Sequence, residues 1–145
     1  MERKQHAWRI EEREYRRHEA RRGRRHAFTD LAPRRTALVV VDMVPFFVEE
    51  NEYTFGIVPN IARLAAALRA AGGTVAWVVP GYTEPKPVTN EFYGPETAEM
   101  FGRSGGEGPV QARIWHEFDI DPADLLVEKT AASAFFPADH RCPTC

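Results

Sequence analysis

The sequence predicts an α/β domain organised around a parallel sheet, and three observations carry the prediction. Continuous apolar, β-branched runs occur at Thr36-Ala-Leu-Val-Val-Val-Asp42, Thr74-Val-Ala-Trp-Val-Val79 and Leu125-Leu-Val-Glu128. The first two lack the alternation of a half-buried strand and fit buried strands, the first covered on both faces; the third is a short strand. Between the first two lies a segment of helical periodicity with short joints on either side, the pattern of one βαβ crossover. At 145 residues the chain has room for one domain.

The elements follow in order. From Ile10 to Arg22 the chain holds good helix formers without Pro or Gly, and Gly23 is placed to stop the helix. Leu31-Ala-Pro-Arg-Arg35 is a connector into the first strand. Pro59 to Ala71 reads as a helix: Pro59 suits a first turn, and Ile61, Leu64, Ala65 and Leu68 form an apolar stripe. Gly72-Gly73 ends it. Gly81 to Pro109 is a long Gly- and Pro-bearing loop with a short helix expected near Glu96–Phe101, and loops of this length inside α/β domains serve as lids or substrate walls. Val110 to Phe118 contains a helical turn ahead of the third strand. The expected organisation is therefore a basic helical extension over residues 1–35, a domain over 36–137 and a disordered tail over 138–145.

Charge is unevenly spread. Residues 1–35 carry 12 of the 19 Lys and Arg but 6 of the 21 acids, a surplus of six positive charges, while the remainder is in deficit by eight. Two readings stay open for the leader. Glu11, Glu12, Glu14 and Glu19 interleave with its arginines, which favours intrahelical pairing and an arm docked on the acidic body. Nucleic acid is the other partner of clustered arginine, but Arg21-Arg-Gly-Arg-Arg25 lacks interleaved aromatics and a nucleic-acid role is not expected. No run approaches the ~18 apolar residues of a membrane span. The charged start is not a secretory signal, and both cysteines fall within the last four residues. The cytoplasm is the expected compartment.

Two residues stand where chemistry is expected. Asp42 follows five apolar residues at the carboxyl end of the first strand, and Lys129 ends the third in the same way. Ligands of open α/β sheets bind outside those carboxyl ends. Asp42 either moves protons there or caps the next turn. Lys129 either holds an anion or activates a nucleophile, or it extends along the surface as ordinary lysines do. Among the aromatic residues core packing is the default, and Phe47 and Phe135, with Ser133, are the candidate pocket residues. His140, Cys142 and Cys145 resemble three ligands of a zinc site, but no fourth ligand is evident and no metal is expected.

Taken together, Val39-Val-Val-Asp-Met43 with Phe46-Phe47, Arg69-Ala-Ala-Gly-Gly-Thr-Val75, and Val127-Glu-Lys-Thr130 with Ser133-Ala-Phe-Phe136 resemble the isochorismatase-like cysteine hydrolases in order, spacing and strand-end placement. The resemblance covers about residues 36–137. It implies a Rossmann-like three-layer parallel sheet of about six strands, of which this chain carries the first three. It also implies an Asp-Lys-Cys triad that hydrolyses amide or related C–N bonds of a small molecule, without a cofactor. By resemblance Asp42 is the general base and Lys129 lowers the thiol pKa. The third member would be a Cys in a Thr-Asn-x-x-Cys-like motif some 30–40 residues beyond the lysine. Only 16 residues follow Lys129, so the chain reads as truncated before its nucleophile and catalytically impaired. Nicotinamidase relatives carry an Asp-x-His metal site where this chain has Gly81-Tyr-Thr-Glu-Pro85, so no metal is implied there either. Two alternatives remain: vinyl-ether hydrolysis of isochorismate, which needs no cysteine, and a non-catalytic module working through the basic extension. A homo-oligomer is left open.

Overall fold

The computed structural model describes residues 1–131 and 133–135. The elements run α1 (Glu12–Arg22), a 3-10 turn (Pro33–Arg35), β1 (Ala37–Val41), α2 (Pro45–Glu50), α3 (Glu52–Ala70), β2 (Thr74–Pro80), α4 (Pro87–Tyr93), α5 (Pro95–Gly102), α6 (Val110–Arg113) and β3 (Leu125–Lys129). The fold is α/β. Among the described residues one parallel sheet has the order β1-β2-β3, with β2 in the middle. The three runs read as strands are the three strands.

The sheet's two faces differ. Side chains alternate along a strand, and the register pairs Val40 with Trp77 and Val39 with Ala76. The face bearing Val40, Val75, Trp77 and Val79 is the core side, covered by Val58 and Ala65 of α3, Val48 of α2, and Ile114, Trp115 and Phe118. On the other face Ala76 and Val78 of β2 are buried by their neighbours, but Val39 and Val41 are about half exposed. The expectation that the first strand is covered on both faces is thus corrected. β1 is an edge of the described sheet, and the helices next to it pack on one side only.

The largest departure from the sequence reading is α3. It begins at Glu52, seven residues before Pro59, because Asn51 caps it: the Asn51 side-chain oxygen accepts from the Tyr53 and Thr54 amides. Pro59 lies inside the helix. It forgoes one backbone bond, and the helix runs through because Val58, Ile61, Ala62, Ala65 and Leu68 pack on the core. Leu64, read as part of that stripe, is exposed instead. At the far end the Gly72 amide reaches the Arg69 carbonyl and the Gly73 amide the Leu68 carbonyl, with Gly72 at φ +81°. That left-handed residue ends the helix as the sequence predicts.

A buried polar cluster ties α3 to the amino end of β3. The Asp124 side chain is 3% exposed. It accepts from Arg69 Nε (2.9 Å) and Nη2 (2.5 Å), from Trp77 Nε1 (2.7 Å) and from the Asp121 amide (3.2 Å). Burial works to raise the Asp124 pKa, but the bonds from Arg69, Trp77 and Asp121 outweigh it and hold the carboxyl below its ordinary value.

The leader combines an arm and a helix. Arg3 pairs with Glu117 and Lys4 with Glu52, the Lys4 amide donates to the Glu52 carbonyl, and His6 stacks on Tyr53 at 4.3 Å. These are the contacts expected of an arm docked on the acidic body. α1 itself spans nearly the predicted range, ends at Gly23 with φ +69°, and buries none of its residues. The tail (138–145), with the zinc-like His140, Cys142 and Cys145, lies outside the described residues.

Candidate active site

The carboxyl ends of the strands converge on one point. Asp42 directly follows β1, and its amide donates to the Val78 carbonyl of β2 at 2.9 Å. That turn places Asp42 at φ +60°, and it is the only non-glycine residue with positive φ among those described. Asp tolerates this region better than most side chains, but backbone held there clusters at functional sites. Lys129 closes β3 opposite Pro80. Its Nζ donates to Asp42 Oδ2 at 2.9 Å, so the pair bridges the end of β2 from the two flanking strands. The Lys129 side chain is only 11% exposed, which excludes an ordinary surface lysine.

The other oxygen of Asp42 is more telling. Oδ1 is buried and has no hydrogen-bond partner among the described residues. The turn-capping reading of Asp42 fails as well, because α2 begins at Pro45 with Val44 at its N-cap and no side-chain cap. Burial of an unpaired carboxylate oxygen costs free energy that folding alone does not repay. It leaves Asp42 with an unused acceptor.

In front of the pair opens a cleft of about 560 Å³, lined among others by Asp42, Phe47, Lys86, Tyr93, Phe101 and Lys129. Phe47 is among these lining residues. Ser133 and Phe135 are not; Phe135 is 90% exposed, and its amide donates to the Ser133 hydroxyl. Sequence reading took residues 81–109 as a substrate-wall loop with one short helix; it missed α4, which with α5 lines the cleft through Thr89, Tyr93, Ala98 and Phe101. Tyr93 and Phe101 meet edge to face at 5.6 Å, and Phe46 lies between Phe101 and Phe47.

It also missed Arg113. This side chain is 4% exposed, pairs with Glu128 and donates to the Pro80 carbonyl at 2.9 Å. Gly105 seats on the same carbonyl so closely that a Cβ would lie 1.8 Å from it. The clasp fixes the ends of β2 and β3 one residue behind Lys129. An arginine inside Val110-Gln-Ala-Arg-Ile-Trp115 was the available signal, since a buried guanidinium demands a carboxylate.

A family model of the isochorismatase domain matches residues 36–140. The chain belongs to the isochorismatase family. The match spans most of the chain and starts where β1 starts. It leaves out the basic leader. Hydrolases of this family act on small molecules, in keeping with a cleft of this size. No curated protein matches the chain closely enough to count as a relative. Among the described residues no helix is long and apolar enough to cross a membrane.

Proposed function

We propose that this chain carries the proton-transfer and cation members of an Asp-Lys-Cys hydrolase site for amide or related C–N bonds of a small molecule. The reading takes residues 36–137 as the hydrolase domain and 1–35 as an extension to it. The observation that carries it is the Asp42–Lys129 pair at the strand ends, both residues lining the cleft, with Asp42 Oδ1 left without a hydrogen-bond partner among the described residues. In this reading Oδ1 takes the proton of a cysteine thiol, and the thiolate sulfur attacks the carbonyl carbon. The C–N bond then breaks as Asp42 returns that proton to the leaving nitrogen, and water hydrolyses the resulting thioester. Lys129, fixed by Asp42, stabilises the thiolate and keeps the carboxylate oriented. The residues described contain no thiol, the two cysteines being Cys142 and Cys145. Neither follows a strand-to-helix turn in the sequence, so we assign the nucleophile to neither.

The test compares the 145-residue protein with an in-frame chimera carrying the C-terminal part of a family member, on a panel of small amides and esters. We expect thiol-dependent turnover from the chimera, its loss in the chimera's Asp42→Asn and Lys129→Met variants, and little turnover from the short chain. Turnover by the short chain that disappears in Cys142→Ala would overturn the assignment of the nucleophile. Hydrolysis of isochorismate that needs no thiol would favour the vinyl-ether chemistry instead. A folded chimera inert on every substrate would sink the hydrolase reading.

A further inference from the structure

We propose that the chain forms a dimer in which the basic helix α1 of one copy docks on the acidic and apolar surface of α4 and α5 of the second copy. The inference does not depend on the reaction assigned to the cleft.

Two surfaces of the molecule are exposed, and each has what the other lacks. The first is α1 with its flanks. No residue of the helix is fully buried, and the ion pairs and ring stacking that tie the leader to its own body run through Arg3, Lys4 and His6, outside the helix. Three of its neighbours, Trp8, Phe28 and Leu31, are two-thirds or more exposed. Several arginines here are already matched, as Arg13 and Arg17 are with Glu14 and Arg25 is with Glu12. Arg16, Arg21 and Arg24 make no ion pair among the described residues and are exposed. The result is unmatched positive charge beside aromatic surface.

The second surface is the outer side of α4 and α5. Val88 and Phe92 are 67% and 78% exposed. Glu91 and Glu96 beside them are exposed and make no ion pair among the described residues. Here unmatched negative charge borders apolar surface. Within one chain their charges are not matched to each other: no ion pair among the described residues joins α1 to α4 or α5. Exposed apolar patches rimmed by charge mark interaction sites, and charge of opposite sign sets which surfaces pair.

A second copy satisfies both surfaces at once. A two-fold arrangement uses each contact twice, since each copy offers one basic helix and one acidic hairpin. A nucleic acid would match α1 alone and would be repelled by Glu91 and Glu96. Because Thr89, Tyr93 and Phe101 of the same hairpin line the cleft, the docked helix would brace the cleft wall from outside.

The experiment is sedimentation velocity on the full 145-residue chain at about 50 mM and about 500 mM salt, where screening lengths differ severalfold. We expect a dimer at low salt and dissociation at high salt. The triple variant Arg16→Glu, Arg21→Glu, Arg24→Glu should weaken dimerisation at least tenfold, and so should Glu91→Arg with Glu96→Arg. Combining the two sets restores opposite charges and should recover the dimer, which a folding defect could not do. Phe92→Ser, which removes apolar surface without changing charge, should weaken it also. A monomer at both salts, a dimer indifferent to the reversals, or a combined variant that stays monomeric would overturn the proposal. So would tight binding of the unmodified chain to a duplex DNA probe with no dimer present.

Discussion

Two carboxylates sit at opposite ends of the same small sheet, and each is held by a cation from another element. Asp124, at the amino end of β3, has both oxygens occupied by Arg69, Trp77 and the Asp121 amide, and its side chain is almost wholly buried. Asp42, at the carboxyl end of β1, has one oxygen on Lys129 and the other buried without a partner among the described residues, on backbone of positive φ. A saturated carboxylate stabilises the fold and has no capacity left for chemistry. An unsaturated one beside a cleft adds little to stability and keeps an acceptor in reserve. This difference in saturation, more than burial or charge, separates the structural end of the sheet from the candidate active end.

The comparison can be broken most directly at Asp42. In a catalytically competent form of the protein, Asp42→Asn should lower kcat/KM by about 10²–10⁴, the usual contribution of a positioned acid–base group. It should cost less unfolding free energy than Asp124→Asn, since the Asp42 side chain is 32% exposed against 3% for Asp124, and Asn tolerates positive φ and can still accept from Lys129. Paired rate and urea-melt measurements check this. A large stability loss with activity intact would reverse the roles assigned here.

Asp124→Asn is the converse. Leaving Arg69 without its carboxylate should cost about 3 kcal/mol, seen as a fall in denaturation midpoint at unchanged m-value. A loss below 1 kcal/mol would remove the contrast between the two ends.

Trp77→Phe sharpens the point by deleting one donor to Asp124 while keeping the aromatic ring. The expected cost is about 1–2 kcal/mol for the lost bond to a charged acceptor and the small void. The double variant with Asp124→Asn should be less than additive because the two share that bond.

The smallest effect is in pH dependence. Asp124 has its folded pKa held below the ordinary carboxylate value, so between the two values the unfolded chain binds more protons. Its contribution is fully present above the ordinary carboxylate pKa and is lost as pH falls through the lowered folded value. Acid titration of stability should show this loss in the wild type and a shallower one in Asp124→Asn. Equal slopes would mean that other carboxylates govern acid unfolding.

Much of this molecule was legible from local pattern. The three strands lie within a residue or two of the apolar runs, because extended apolar segments bounded by turn residues mark strands even where, as in β1 and β3, one face stays partly exposed. The strand-end positions of Asp42 and Lys129 follow from the same runs, as does the stop of α3 at Gly72. What failed was information that is not local. Pro59 looked like a helix start until the Asn51 cap and the packing of Val58 extended the helix past it. Helices α2 and α4 are too short to show periodicity. Leu64 was placed in the core by its spacing, yet only the path of α3 over the sheet decides which stripe faces inward.

The sequence by itself determined the α/β class, the order of the strands along the chain and the two charged residues that end them. Hydrophobic patterning and turn chemistry act over a few residues, and these features need no more. Only the tertiary structure decided that Lys129 reaches across β2 to one oxygen of Asp42, that the other oxygen stays unpaired, and that Arg113 and the aromatic side chains of α4 and α5 build the surroundings. Those facts depend on contacts between residues up to 87 positions apart, whose geometry is set by sheet register and helix packing and by no local preference.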